Sequence, residues 1–204
     1  DETNHARLIA KHFDTKHTEL IAEPASANII PKLVYQFDEP MVDSSMIPTF
    51  LVSQLIREHC KVALGGDGGD ELFGGYTHYK NLLWIYENLD FLPIIFRILS
   101  VWIGNQVIPV GFKGRNYLQA LGDKLETGLP LINDFFDIGL RRKLLCNFNW
   151  NPTAEKIRER MIPIQSDLLQ RATRMDFENY LAEDILVKID RASMFCSLEM
   201  RAPF

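Results

Sequence analysis

A β-branched and apolar run, Val62-Ala63-Leu64, passes directly into Gly65-Gly66-Asp67-Gly68-Gly69-Asp70 and then into Glu71-Leu72-Phe73, which opens like a helix. Strand, tight glycine loop and helix in that order leave few architectures open. This is how a parallel α/β sheet places ligand groups at the carboxyl end of a strand. Four glycines around Asp67 let the backbone take positive φ and let a ligand approach main-chain N–H groups with no Cβ in the way. Such a loop suits phosphate. Asp67 and Asp70 would repel a bare phosphate, so the pattern fits an anion only with a hard divalent cation between them, as with Mg²⁺ carried by a nucleotide or pyrophosphate. A second reading of the same residues has Asp70 capping the helix that begins at Glu71, with the glycines making an ordinary turn.

Two separated stretches carry a resemblance. Residues 38–79, containing DEPMVDSSMIPTF and GGDGGDELFGGYTHY, and Asp184–Phe204, DILVKIDRASMFCSLEMRAPF, resemble two signatures of the glutamine-dependent asparagine synthetase family, in that family's order. The resemblance implies an α/β fold: a parallel-sheet, Rossmann-like ATP-pyrophosphatase domain of the adenine nucleotide alpha hydrolase type, incomplete, with a mostly helical C-terminal half. Residues 1–204 would be part of one synthetase domain, 1–80 forming the α/β nucleotide-site portion and 81–204 the mainly helical portion. Such enzymes use MgATP to adenylate a carboxylate and release pyrophosphate. Ammonia from glutamine then displaces AMP to give an amide, which is asparagine when the acceptor is aspartate.

Carried over residue by residue, the resemblance gives Asp70 the Mg²⁺–pyrophosphate role and places Asp67 beside it, facing the acyl-adenylate and the amine. Glu71 joins them in the catalytic group, supporting the metal or standing just behind its ligands. The backbone of Gly65, Gly66, Gly68 and Gly69 holds ATP and its phosphates. Gly65 stands where the family usually has Ser, which removes one hydroxyl from the loop. In the family the polar segment Asp38, Glu39, Asp43, Ser44 and Ser45 lies near the acceptor; here it contains no Arg, although an aspartate acceptor calls for a basic group. Lys188, Arg191, Glu199 and Arg201 fall in the second signature with supporting roles. Two further possibilities stay open: an amidotransferase acting on a sugar- or polysaccharide-pathway carboxylate, and a non-catalytic interaction module.

The rest of the chain sets bounds. At 204 residues and 47% hydrophobic it can bury one sizeable core. Its net charge of −5 gives no electrostatic footprint for nucleic acid. Cys60, Cys146 and Cys196 are odd in number and far apart, which fits a reducing cytoplasm better than a disulfide framework. The five histidines have no metal-binding spacing, and no GK[ST] follows the glycines, so a Walker-type loop is excluded. The chain opens on Asp1 and closes inside the second motif, which reads as a piece of a longer protein. The family's SGGxDS nucleotide loop is then expected before Asp1, its lysine after Phe204, and its N-terminal glutaminase domain is absent. The piece alone is expected to be inert and to bind ATP weakly or not at all; a homodimer is compatible with the family.

Periodicity supplies the elements. Helices are expected over Glu2–Phe13, from about Asn28 to Phe37 with Ser26 available as a cap, and over Ser45–His59. A strand is expected at His17–Ile21. Beyond Tyr76 the pattern is helical. Phe91–Ile103 (FLPIIFRILSVWI) is the most hydrophobic stretch and, too short to span a bilayer, reads as a buried helix ahead of a membrane-surface contact or a subunit interface. Further helices are expected at Lys113–Leu125, Gly128–Leu145, Ile164–Tyr180 and Asp184–Phe195, with Asn147–Pro152 a connector. In the last helix Lys188 and Arg191 share a face, available either to a polyphosphate or to salt bridges, while Asp190 points elsewhere.

Overall fold

A computed structural model describes residues 3–21, 27–39, 41, 43–122, 144, 162–163 and 167–203. Asp1–Gly65 with Leu186–Pro203 make one compact unit, and Gly66–Ile185 make a second. The described part is mostly helical, with one small parallel sheet, an α/β arrangement.

In the first unit, α1 (Thr3–His12) follows its apolar spacing. The strand expected at His17–Ile21 is not formed: the segment has no regular secondary structure and is exposed, and no described strand pairs with it. A strand exists only through its ladder, and here side chains hold the segment instead. Arg7 of α1 reaches both carboxylate oxygens of Glu19, at 2.5 and 2.8 Å. That bidentate contact holds the Glu19 carboxyl down to about 2. A 3₁₀ turn (Ala27–Ile29) leads into α2 (Ile30–Phe37), whose Pro31 sits in the first turn, where the missing N–H costs nothing. The expected cap Ser26 lies outside the described residues; the N-cap is Ile29, with no side-chain bond. Asp38 ends α2 in the left-handed region, φ 63°, donating its N–H to Val34 O.

Helix α3 (Met46–Arg57) starts after Ser45 as its spacing predicts and delivers the chain to strand β1 (Val62–Leu64). The last helix and strand of the chain, labelled α9 (Leu186–Phe195) and β2 (Glu199–Arg201) by their order, complete this unit. Helix α9 packs on both α2 and α3, and Leu33, Phe37, Phe50 and Ala192 form the core between them. Strand β2 runs parallel to β1 with Val62 opposite Glu199, Ala63 opposite Met200 and Leu64 opposite Arg201.

The second unit contains α4 (Gly69–Phe73), α5 (Thr77–Leu89), α6 (Ile94–Gln106), α7 (Arg115–Ala120) and α8 (Leu168–Met175). Helix α8 is capped by Asp167, whose side chain accepts from the Gln170 N–H. It continues into a π-helical stretch, Asp176–Ile185, which bridges residues 181–183, the gap between the two helices that periodicity predicts. Tyr79, Leu82 and Ile85 of α5 meet Leu168, Ala172 and Met175 of α8 in the core, with Ala120, Leu121 and Ile162. Of the helix expected at Lys113–Leu125 the structure contains Arg115–Ala120, and its end beyond Gly122 lies outside the described residues. The Gly128–Leu145 helix and the Asn147–Pro152 connector also fall there, Leu144 aside.

Helix α6 reverses its expectation. It is not a buried apolar helix: its inward residues are Arg97, Ser100 and Gly104, while Ile95 is 73% and Trp102 56% exposed. The spacing of three and four puts these inward residues on one face, and Gly104 lets α7 come close, since an added Cβ would lie 3.3 Å from Leu118 and Gln119. Arg97 is tolerated inside because its guanidinium meets Asp90 Oδ1 at 2.6 Å and donates to the carbonyls of Asp90, Leu92 and Leu121. Removing one partner of such a pair strands the other. Arg97→Met is expected to lower unfolding free energy by about 3 kcal/mol in urea denaturation.

Candidate active site

The glycine loop begins at the end of the parallel pair. The Glu199 N–H donates to Lys61 O and the Gly65 N–H to Arg201 O, both at 2.9 Å, so the ladder runs to the first loop glycine. The strand that feeds the loop is therefore paired with the closing residues of the second motif. Glu199 and Arg201, two apart and on one face of β2, bond each other at 2.8 Å and are more than half exposed.

Beyond Gly65 the loop belongs to the second unit. Gly68 has φ 90° and is the N-cap of α4, so this position requires glycine. The reading in which Asp70 caps the helix is corrected: Asp70 is already the second residue of α4, and no side chain caps it. Gly66 and Gly69 have no positive φ, and a Cβ added at either would meet nothing within 4 Å, so the backbone there stands open to approach.

The end of α4 explains the Gly74-Gly75-Tyr76 sequence. Gly74 adopts φ 68° as the C-cap, and the N–H groups of Gly74 and Gly75 both turn back to Asp70 O. Gly75 is needed for space instead: a Cβ there would lie 1.9 Å from Asp70 Oδ1. The three acids of the loop differ in setting. Asp70 is exposed, Asp67 is half-buried, and neither side chain is bonded among the described residues. Glu71 is 1% exposed and accepts a hydrogen bond from the Tyr76 hydroxyl at 2.6 Å.

The residues present fit a Mg²⁺ ion shared with phosphates better than an all-protein metal cage. No group of three or more metal-ligating side chains exists among the described residues, whereas Mg²⁺ commonly takes one or two carboxylates and completes its shell with phosphate and water. Asp70, and Asp67 three residues before it, are free to supply such carboxylates.

In the first unit the positive face of α9 is already engaged. Lys188 Nζ donates to Asp43 Oδ2 and Ser45 Oγ, both at 2.7 Å, while the Ser45 N–H bonds Asp43 Oδ1 at 2.8 Å. Arg191 pairs with Glu39 at 3.0 Å and donates to Phe37 O. Of the two uses open to this face in the sequence, the structure takes salt bridging to the 37–45 segment. The basic group missing from that segment thus arrives from α9. Complementary charge, acids at 38–43 against a cationic helix face, was the available signal, but no local spacing rule links residues 145 positions apart. Tyr76, His78 and Asp176 were likewise missed; nothing in their spacing joins His78 to Asp176, whose Oδ2 lies 3.0 Å from its Nε2.

At Asp43 burial opposes ionisation, but the Lys188 ammonium and the Ser45 N–H and hydroxyl outweigh it and draw the carboxyl below its ordinary value. A carboxyl whose pKa is lower folded than unfolded adds stability above the unfolded value and loses it as pH falls through the folded one. Lys188→Met should therefore cost about 2 kcal/mol at neutral pH, and the difference from wild type should shrink below the ordinary 3.8 of an aspartate. Urea titrations of both proteins at several pH values read this. Gly75→Ala, in turn, should displace the Asp70 carboxylate and cost the full-length protein at least about tenfold in whatever reaction the loop serves.

A glycine loop at the end of a parallel strand is an α/β arrangement, the kind in which ligands commonly sit at the carboxyl ends of strands. A family model described as asparagine synthase matches residues 1–204, and the chain belongs to the asparagine synthase family. It is 28% identical over 189 residues to asparagine synthetase (glutamine-hydrolysing) 1 of Bacillus subtilis, covering 92% of this chain and 30% of that one. A Mycobacterium bovis protein, provisionally named asparagine synthetase (glutamine-hydrolysing), is 34% identical over 177 residues, covering 86% of this chain and 27% of its own length. A Drosophila melanogaster asparagine synthetase domain-containing protein is 40% identical over 52 residues, 26% of this chain. The chain thus spans less than a third of the first two relatives. No solved structure matches it.

Proposed function

We propose that this chain is part of the synthetase domain of a ligase that uses ATP to amidate aspartate with glutamine-derived ammonia. The fold is read as the Rossmann-like ATP-pyrophosphatase type, with residues 1–204 lying within one such domain. Family membership supports the reaction class, and the observation that carries the reading is the unengaged Asp67–Asp70 pair in an open glycine loop at the carboxyl end of β1.

The reaction is attack of the acceptor carboxylate on the α-phosphorus of ATP, expelling pyrophosphate. Ammonia then attacks the acyl carbon and AMP leaves with the bonding electrons. Asp70 would hold the Mg²⁺ that accompanies the pyrophosphate, and such an ion would offset the phosphate charge. Asp67 faces the acyl-adenylate and the incoming amine, where a carboxylate can accept the proton the amine must lose. Glu71, buried and bonded to the Tyr76 hydroxyl, supports α4 from inside. The backbone of Gly65, Gly66, Gly68 and Gly69 holds the nucleotide and its phosphates. No described helix is long and apolar enough to cross a membrane.

A different carboxylate acceptor is the second reading. It is favoured by the absence of arginine from residues 38–45 and by the engagement of Lys188 with Asp43. ATP–pyrophosphate exchange on the full-length protein separates the two. Aspartate-dependent exchange that falls by about a hundredfold or more in Asp70→Asn is the expected result. Exchange with another carboxylic acid alone replaces the substrate, and none with any acid overturns the enzyme reading in favour of an interaction module.

A further inference from the structure

We propose that Tyr76 is a positioning residue that acts on the Asp67–Asp70 loop through Glu71; the inference rests on the role given to that loop above. Helix α4 has five residues, and a helix that short has no stability of its own. Where Asp70 points therefore depends on what ties α4 down. Glu71 is the helix's inward side chain, and a carboxylate so buried must be bonded or it is costly. The Tyr76 hydroxyl supplies that bond at 2.6 Å.

The Tyr76 ring is itself held. It stacks on His78, with centroids 5.2 Å apart and planes 19° from parallel, and meets Tyr79 at 5.8 Å and Tyr180 edge-on at 6.3 Å. His78 and Tyr79 converge on Asp176 Oδ2, at 3.0 and 2.7 Å, and Asp176 is the first residue of the π-helical stretch. One carboxylate from α5's distant partner thus fixes two rings beside Tyr76. Burial, and then the hydrogen bond to Glu71, push the Tyr76 phenol above its ordinary range, which keeps it a donor. The chain of contacts runs from Asp176 through the rings to Glu71 and so to the turn that carries Asp70.

The test is steady-state ATP–pyrophosphate exchange with the full-length protein, comparing wild type, Tyr76→Phe, Glu71→Asp and the double variant. Glu71→Asp keeps the charge but shortens the side chain out of reach of the phenol, so it reads the same bond with Tyr76 intact if the phenylalanine variant does not fold. Each single variant should lower kcat at least tenfold with the KM for MgATP within about twofold, and the double variant should lose no more than the worse single one. A wild-type kcat in a folded single variant, or losses that multiply in the double, overturns the role of Tyr76. Failure of the wild type itself to exchange with any carboxylic acid overturns instead the reading on which the inference rests.

Discussion

The parallel pairing of Val62–Leu64 with Glu199–Arg201 is the constraint on which the described structure depends. It joins residues separated by well over a hundred positions, so its closure carries a chain-entropy cost that three residues of ladder cannot meet alone. The packing of α9 on α2 and α3 meets it, because only three residues lie between α9 and β2, so the helix brings the strand with it. Leu33, Phe37, Phe50 and Ala192 thus do more than fill a core. They put the end of the chain beside the strand that opens the glycine loop.

Charge then refines what apolar packing sets. Lys188 and Arg191 each combine an acidic partner with a neutral acceptor in the 37–45 segment, Ser45 Oγ for one and Phe37 O for the other. An ion pair alone, half in water, fixes little; a cation that also bonds a backbone or hydroxyl oxygen fixes a direction. The segment between α2 and α3 is consequently tied to α9 at both of its ends.

Much of this was legible in the sequence where the signal was local. The strand, the loop, α1, α2 and α3, and the shared face of Lys188 and Arg191 all follow from spacing and turn chemistry over a few residues. The failures have a common cause. His17–Ile21 has the composition of a strand, but a strand needs a partner and periodicity does not report one. The 91–103 stretch has the apolar content of a buried helix, yet hydrophobicity counts side chains without saying which neighbour exists; the neighbour is α7, and it accepts the small and polar face. At the loop, Asp67, Asp70 and Glu71 are three acids in five residues, and sequence gave no means of telling the exposed one from the one sealed inside.

Gly75 shows how little separates these outcomes. Its contribution is an absence: the volume that any other residue's first carbon would fill is occupied by an oxygen of Asp70. Gly74, next to it, is glycine for the shape of its own backbone, and Gly75 is glycine for the sake of a neighbour five positions back. Two identical letters therefore answer to different masters. One is a matter of torsion and could be met by any residue that tolerates a left-handed turn; the other is a matter of occupancy, and the smallest side chain in the alphabet is already too large for it.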